Sequence, residues 1–506
     1  MTDQSAAGSG DAAPASGGSP GSPEKPGPSV GSIIPRRQLL LDLTPLRVDR
    51  EYRKLWIGQV ISVMGNQVTR IALPFQVYVL TGSPLSIAVL TAVQLLPILI
   101  FGLAAGSIAD AFDRRKVLIV TQVGLAITNV GLVLISIQES PPVWALYVMA
   151  GIAGGLLSVD WPARLAAVPR LVPRERLPSA IGLTQLSHNT SAIVGPAIGG
   201  VILATTGVAG AYLTDLIAFG ISIWALILLK PILPLHQTVA PGLTAIREGL
   251  SFVRSKKIIL GAFAIDLNAM VFGRPIGLFP ILALEVFKTG PAGVGMLAAA
   301  PAVGAFIGAV LSGWLTSIRH TGRAVILSVV GWGILVTLFG LSTFSFELAL
   351  VLLAMAGAAD VLSTMLRWTI VQTETPDHLR GRVTSINNMS VTSGPRLGDI
   401  RATTVASLIG AQASVVSGGL LVLVGAVLTA RAFPALTSHR LRLRRHESDG
   451  GGEGPEGGGS RGSESAASTE PAPGAPLAPP PPAARSPAAR SPAARSAPQP
   501  AADNGA

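Results

Sequence analysis

The chain has 506 residues, of which 49% are hydrophobic and only 13% are charged, whereas a soluble domain carries roughly 25% charged residues. This composition excludes a single soluble core and favours lipid as the surrounding solvent. The net charge of +11 does not indicate a nucleic-acid partner, because the basic residues form short clusters between long apolar runs.

Several other site classes are excluded by what the sequence lacks. There is no cysteine, which rules out disulfides and thiolate metal sites, and the six histidines show no metal-ligand spacing. We therefore expect no metal, no cofactor and no catalytic site. The first fifty or so residues are polar and lack a signal-peptide pattern, so the first apolar helix is expected to direct insertion.

Both ends of the chain are low in complexity. Residues 1–48 are rich in Gly, Ser, Pro and Ala, and residues 436–506 include the repeated stretch "PAARSPAARSPAARS". Segments of this kind cannot bury enough apolar surface to fold. We predict a disordered tail at each end.

Between the tails, apolar runs long enough to cross ~30 Å of hydrocarbon recur about twelve times. The predicted spans are 54–80, 84–108, 116–137, 143–165, 179–205, 209–229, 259–285, 291–315, 323–344, 347–369, 382–409 and 411–432.

The loops between these spans are asymmetric in charge. The loops after even-numbered spans carry the basic residues, at 114–116, 170–176, 230–257, 319–323 and 380–382. The loops on the other side contain a single lysine, Lys288. Because Lys and Arg are retained in the cytoplasm, both termini are predicted to be cytoplasmic.

An internal repeat divides the spans six and six. Gly195-Pro196 in span five returns as Gly394-Pro395 in span eleven, at an offset of about 200 residues, and Asp160 in span four returns as Asp360 in span ten. We predict an N-terminal bundle at 49–230, a central loop at 231–258 and a C-terminal bundle at 259–435. Two bundles in the same orientation are expected.

The turn after span two, "GSIADAFDRRK", gathers charge abruptly. Arg114, Arg115 and the following lysine are explained by membrane topology alone, but Asp110 is not. Gly106, Asp110, Arg114 and Arg115 resemble the loop signature of the major facilitator superfamily, with departures at positions 111 and 113. The resemblance implies a cytoplasmic latch in which Asp110 and an arginine hold the outward-open state.

Span five carries a second motif of small residues. Gly182, Ser191, Gly195, Pro196, Gly199 and Gly200 resemble the antiporter motif of the same superfamily, with serine at its second glycine. The resemblance implies an exporter, and generic packing of small residues is the alternative.

Within the superfamily, the sequence is most similar to the enterobactin exporter group of siderophore and drug exporters. The strings that carry the similarity are "GNQVTRIALPFQVYVLTGSPLSIAVL", "DWPARLAAVPRLVPRERLPSA" and "SGPRLGDIRATTVASLIGA". The usual arginine near the start of span four is missing from "VWALYVMAGIAGGLL". By resemblance, spans one, four, seven and ten line a central cavity.

Charged residues inside spans are the remaining candidates, since each costs ~2.5–3.5 kcal/mol at mid-bilayer unless it faces a cavity or a partner. Arg70, Asp266 and Arg274 are the substrate or proton-coupling candidates, and the alternative is that Asp266 simply pairs with Arg274 two turns along span seven. Two mid-membrane arginines would suit an anionic or catechol-bearing cargo.

Two further acid–base sets lie near the cytoplasmic ends of spans four and ten. Asp160 with Arg164, and Asp360 with Arg367, are candidates for inner-gate pairs between the bundles, with pairing at a helix end as the alternative. Asp215, Arg396 and Asp399 are interpreted as structural, His188 is interpreted as a packed polar residue, and His378 lies in a loop.

These observations predict an all-α membrane protein of twelve helices in two pseudo-symmetric bundles. The expected activity is proton-coupled export of a small amphipathic molecule across the bacterial cytoplasmic membrane, by alternating access. A siderophore is the first cargo and a macrolide or other drug the second; a nutrient importer and a receptor or scaffold are the alternatives. Protons, lipid and the cargo are the expected partners of a monomer.

Overall fold

The computed structural model describes residues 42–232, 243–318 and 320–439, without the side chains of 102–111, 243–246, 314, 316 and 317. The described part of the chain consists of helices and short turns and contains no β-strand. The predicted all-α fold class is confirmed. The predicted tails lie outside the described residues apart from their inner edges, where Thr44–Val48 and Pro434–Thr437 are short helices.

The first set of helices follows the predicted spans one to six. It comprises α1 (Arg50–Thr81), α2 (Pro84–Ala111), α3 (Arg114–Ser136), α4 (Val143–Leu171) and α5 (Leu177–Ile227). The 51 residues of α5 would extend about 75 Å as a straight helix. At Gly207, however, the backbone leaves the helical region (φ 71°, ψ −170°), so this glycine separates the predicted spans five and six.

The second set follows the predicted central loop and spans seven to twelve. It comprises α6 (Leu243–Ser255), α7 (Lys257–Gly273), α8 (Gly290–Val310), α9 (Thr321–Leu341), α10 (Phe346–Glu374), α11 (Asp377–Ile409) and α12 (Ala411–Ala432). Helix α6 belongs to the predicted central loop. After α7 the chain continues through short turns to Val286, which complete the predicted span seven.

Helix ends are fixed by residues suited to them. Asp113 accepts a hydrogen bond from the Arg115 amide at the start of α3, and Ser345 accepts one from the Leu348 amide at the start of α10. Such caps satisfy amide groups that have no partner within the helix. Gly82 ends α1 in the left-handed conformation (φ 59°), which glycine adopts without strain.

Within the described residues, nine helical segments are long and apolar enough to cross a membrane. One of them, Arg174–Ile227, is 54 residues long and contains the break at Gly207, so its length accounts for two crossings. Helices α1 and α11 are 32 and 33 residues long but are too polar to be among the nine. The count of twelve spans therefore remains a prediction.

The helices pack within each set and also between the sets. In the first set α1 packs on α5 and α2 on α4; in the second, α8 packs on α10 and α9 on α12. The sets meet where α5 contacts α8 and where α2 contacts α11. We call the end of the molecule that carries residues 114–116 the basic end, and the other end the opposite end.

The outward surface of the helices is apolar. Val120, Ile127, Trp224 and Leu327 are each about two-thirds exposed, although all four lie within long helices. Apolar exposure on this scale is unfavourable in water and indicates contact with lipid. The exposed residues therefore agree with the composition in placing the bundle in a membrane.

Candidate functional site

Four charged residues from three different segments lie close together near the middle of the spans. Arg70 is in α1, Arg274 directly follows α7, and Arg396 and Asp399 are in α11. Arg70 is within electrostatic range of Arg274 and Asp399, and Arg396 is within range of Arg70 and Asp399. Because α1 belongs to the first set and the others to the second, this central cluster lies between the two sets.

The central cluster has hydrogen-bonding capacity that the protein leaves unused. Arg70 is exposed although it lies in the interior of a long helix, and its Nη1 makes only a long bond of 3.4 Å to Gln67 Oε1. Arg396 Nη1 donates to the Thr392 carbonyl at 2.6 Å. Since each guanidinium carries five N–H donors, most of them remain available to an oxygen-rich ligand.

Arg274 occupies a break in the predicted span seven. Helix α7 ends at Gly273, and Arg274 adopts an extended conformation (φ −106°, ψ 102°) before a short turn at Ile276–Leu278. The Gly277 amide donates to Asp399 Oδ1 at 2.8 Å, which ties this turn to α11. The break thus brings Arg274 beside the acid of the central cluster.

The acids near Arg274 pair differently from the sequence expectation. Asp266 Oδ1 lies 2.7 Å from Arg367 Nη2, and both side chains are buried. Arg274 Nη1 lies 4.0 Å from Asp360 Oδ2, and both groups are about one-third exposed. Asp266 therefore pairs with α10 and not with Arg274. Asp360 and Arg367, two turns apart on α10, each reach toward the predicted span seven and not toward the first set.

The equivalent residues in α4 are joined within one helix. Arg164 Nε donates to Asp160 Oδ2 at 2.6 Å, and both side chains are buried. Asp160 Oδ1 also accepts hydrogen bonds from Thr121 and Gln122 of α3, each at 2.9 Å. In this structure the pair holds α4 to α3 inside the first set, so the predicted contact between the bundles is not formed here.

The glycines of the small-residue motif differ in their surroundings. A Cβ on Gly195 would lie 2.6 Å from Gln67 Cβ, and one on Gly199 would lie 3.1 Å from Val68 Cα, so both permit the close approach of α5 to α1. By contrast, a Cβ on Gly182 would meet no atom within 4 Å. Ser191 and Pro196 are buried in the same helix.

The last glycine of this motif contacts the second helix set. A Cβ on Gly200 would lie 2.8 Å from Gly295 Cα, and a Cβ on Gly295 would lie 2.6 Å from Gly200 Cα. Gly200 lies near the Gly207 break and Gly295 near the start of α8, so the contact is at the opposite end. Only glycine at both positions allows two backbones to meet this closely.

A side-chain bond joins the sets at the same end. The Tyr78 hydroxyl, near the end of α1, donates to Glu285 Oε1 on the outer part of the predicted span seven. Tyr78 is buried, whereas Glu285 is exposed. Together with Gly200 and Gly295, this pair joins the two helix sets at the opposite end in the described structure.

Residues 41–448 match the sequence profile of a family described as transmembrane secretion effector. The chain belongs to this family, which lies within the major facilitator superfamily. Enterobactin exporter EntS of Citrobacter koseri is 28% identical over 395 residues, which is 78% of this chain and 94% of that protein.

Solved transporters share the fold of this chain. A POT family transporter in complex with 5-aminolevulinic acid has a TM-score of 0.60 at 14% identity, covering 77% of this chain and 97% of that one. A bacterial homologue of the iron transporter ferroportin in its inward-facing state has a TM-score of 0.58 at 15% identity, covering 78% and 100%. The chain therefore has the major facilitator fold. Its family membership and its apolar helices indicate a multi-pass transporter of the inner membrane.

The loop signature at 106–115 lies only partly within the described side chains. Gly106 and Asp110 lie in helix α2, but their side chains are outside the described residues. Arg114 is buried, and its amide donates to the Ile232 carbonyl at 3.1 Å. The Arg115 guanidinium donates to the carbonyls of the last turn of α5, at 3.1 and 2.7 Å. Arg115 thus caps a helix of its own set, and the latch remains a prediction.

Sequence reasoning missed Tyr78, Glu285 and Gly295, and it interpreted Arg396 and Asp399 as structural. The sequence contained a signal for Glu285 alone. This acid lies three positions before Lys288, the single lysine of the loops on that side, in a region that otherwise carries little charge. Gly295 and Tyr78 had no such signal, since their importance depends on what each meets in the other helix set.

Proposed function

We propose that this transporter exports a small anionic or catechol-bearing molecule, a siderophore such as enterobactin, from the cytoplasm by proton-coupled alternating access. The observation that carries the proposal is the central cluster of three arginines and one aspartate between the helix sets. The sequence similarity to enterobactin exporters supports the same cargo class.

The charge of the central cluster favours an anion. Arg70, Arg274 and Arg396 together carry three positive charges, which Asp399 and the loosely paired Asp360 offset only in part. Guanidinium groups bind planar pairs of oxygens, such as carboxylates and catecholates, through two parallel hydrogen bonds.

The described conformation suits loading from the basic end. Tyr78 with Glu285 and Gly200 with Gly295 close the opposite end, whereas Arg70 stays exposed. The positive-inside rule assigns the basic end, and with it both termini, to the cytoplasm. On this assignment the cargo enters from the cytoplasm and leaves after the opposite end opens.

Energy is assigned to the proton gradient, since the sequence contains no G-x-x-x-x-G-K-[ST] string for a nucleotide phosphate. In the outward-open state, the predicted latch of Asp110 with Arg114 or Arg115 would close the basic end. Alternating access then consists of exchanging the contacts of one end for those of the other.

Transport by inverted membrane vesicles tests this function, with enterobactin and a macrolide as separate probes. An acidic vesicle lumen should drive uptake of enterobactin in preference to the macrolide. Arg396→Gln should raise the KM for enterobactin about 10-fold or more, because a charge-assisted hydrogen bond is worth ~1.5–3 kcal/mol.

A matched control lies on the same helix. The Arg401 guanidinium donates to the Ser414 carbonyl at 3.2 Å and to Ser417 Oγ at 3.1 Å, outside the central cluster. Arg401→Lys should keep the wild-type KM. Uptake of neither probe, or an Arg396→Gln variant with unchanged KM, contradicts the proposed function.

A further inference from the structure

Helices α1 and α3 are joined by a polar seam that runs along the first helix set. Three hydrogen bonds link residues that are always 60 positions apart in sequence, and both helices supply a polar residue every seven positions. The pairs are Ser62 with Gln122, Thr69 with Asn129, and Gln76 with Ser136, at 3.2, 3.3 and 3.0 Å. A seven-residue spacing places each series on one face of its helix.

We call each of these three pairs a level of the polar seam. At every level a third helix supplies a further hydrogen-bond partner. Asp160 accepts from Gln122 at the level nearest the basic end, and Tyr212 donates to Gln76 Oε1 at the level nearest the opposite end. The middle level receives a carboxylic acid, Asp215 of α5, whose Oδ2 lies 2.6 Å from Thr69 Oγ1. Levels seven residues apart are separated by about 10 Å along the helix axis.

Asp215 is an acid that is buried without a cation among the described residues. Its side chain is fully buried, and no Lys, Arg or His of the described residues pairs with it. The groups that face it from α1 and α3 are Thr69 and Asn129, neither of which is charged. Its Oδ1 is also buried and has no hydrogen-bond donor among the described residues. An ionised carboxylate in such surroundings is strongly disfavoured.

The hydrogen bonds of the middle level are fully satisfied only with a proton on Asp215; with an ionised Asp215, Thr69 donates to the carboxylate and Asn129 Oδ1 loses its donor. Asn129 Nδ2 donates to the Leu125 carbonyl at 3.2 Å, which leaves its Oδ1 to face Thr69 as an acceptor. The single hydroxyl proton of Thr69 cannot serve both Asn129 Oδ1 and Asp215 Oδ2. Both contacts are satisfied when protonated Asp215 donates to Thr69 and Thr69 donates to Asn129.

We infer that Asp215 is a proton-binding site, occupied in this conformation and emptied during the transport cycle. The carboxyl takes a proton from water and returns it to water, so no other reactant is needed. Its role in coupling rests on the proposed proton-driven export. The inference differs from the sequence interpretation, in which Asp215 was structural and the coupling candidates were Arg70, Asp266 and Arg274.

The polar seam extends from Asp215 toward the opposite end, and Asp215 is bonded to the residue that precedes Arg70. Gln76 and Ser136, at the next level of the seam, line a surface pocket at the opposite end together with Gly207. Thr69 precedes Arg70 of the central cluster on the same helix. Loss of the proton would turn the Thr69 hydroxyl from Asn129 to Asp215 and so break the middle one of the three hydrogen bonds between α1 and α3. Proton loss and cargo binding would thereby act on one helix.

Infrared difference spectroscopy of the purified protein tests the site without any cargo. Wild-type protein should show the carbonyl band of a protonated carboxyl that disappears as the pH is raised. Asp215→Asn should lose this band, while Ser62→Ala, a substitution in the same polar seam, should keep it. An Asp215→Asn variant that retains the full wild-type band overturns the inference. The asparagine amide can donate to Thr69 as the protonated acid does, so this variant should fold.

Proteoliposomes loaded with labelled enterobactin separate this inference from the proposed function. Asp215→Asn should exchange enterobactin across the membrane but lose all acceleration by a pH gradient, whereas Ser62→Ala should keep it. A variant that responds to the gradient as the wild type does overturns the role of Asp215. If the wild type itself shows no acceleration, the proposed proton coupling fails, and the infrared band alone decides whether Asp215 binds a proton.

Thr69 provides a second pair of variants should Asp215→Asn be poorly expressed. Thr69→Val removes the acceptor for the Asp215 proton, and Thr69→Ser retains it. The inference requires that Thr69→Val moves the titration of the infrared band and that Thr69→Ser restores the wild-type titration. Identical titrations for valine and serine would contradict it.

Discussion

The contact between Gly200 and Gly295 makes a testable claim about which end of the transporter is closed. Replacing Gly295 with alanine would place a Cβ 2.6 Å from Gly200 Cα and 2.6 Å from the Pro196 carbonyl oxygen. Both obstacles are backbone atoms, which no rotamer change can move. The strain arises only while α5 and α8 are in contact, so it falls selectively on the conformation described here.

The size of the effect follows from the cost of overpacking. An extra methyl group in a tightly packed contact costs ~1–3 kcal/mol. If that cost applies to one of two conformations, their ratio changes by about 5- to 150-fold. Gly295→Ala should therefore shift the population measurably toward the state that is open at the opposite end.

Spin-label distances at the opposite end measure this shift. The chain has no cysteine, so Leu80→Cys and Lys288→Cys introduce two unique labelling sites on exposed residues. Gly295→Ala should add a long-distance population. Gly331→Ala is the matched control, because a Cβ there meets no atom within 4 Å. An unchanged distance distribution in a folded Gly295→Ala protein would refute the proposed closure at this contact.

Three further predictions concern charged and polar pairs. Tyr78→Phe removes the bond to Glu285, worth ~1.5–3 kcal/mol, and should lengthen the same label distances; a null effect would mean that the pair does not hold this end closed. Asp266→Asn should destabilise the purified protein by ~3–5 kcal/mol because it leaves Arg367 buried without its partner. Adding Arg367→Gln should recover much of the loss in thermal melting, and a double variant as unstable as the single one would contradict the pairing. Asp110→Asn should reduce export while the protein stays in the membrane, and wild-type export would remove the latch.

Much of the fold could be predicted because its main cause is local. A run of about twenty apolar residues must form a helix in lipid, since no water is available for its backbone groups. The structure accordingly places helices over every predicted span. Helices α1 and α11 are less apolar than the other spans because they contain polar residues. Three of those residues, Arg70, Arg396 and Asp399, belong to the central cluster.

The pairing of the charged residues could not be predicted from sequence. Asp266 and Arg274 share one segment, yet the helix ends at Gly273, and each group turns to a different residue of α10. Spacing along one helix indicates which residues share a face. It does not indicate which neighbouring helix that face meets.

Asp215 shows the same difficulty in another form. An acid inside a span is equally compatible with an ion pair and with a proton site, and the sequence does not distinguish them. What favours a proton site over an ion pair is that the groups around Asp215 are the uncharged Thr69 and Asn129, which come from two other helices. The seven-residue repeat of polar residues in α1 and α3 was nevertheless readable in the sequence, and it is the signal that could have indicated the seam.

The break after Gly273 divides the seventh span into an inner part and an outer part. The inner part is joined to α10 by the ion pair of Asp266 with Arg367, whereas the outer part carries Glu285. Arg274 lies at the break between the two parts. A cargo bound at Arg274 would therefore lie at the junction between the part of the span that is held to α10 and the part that is bonded to Tyr78.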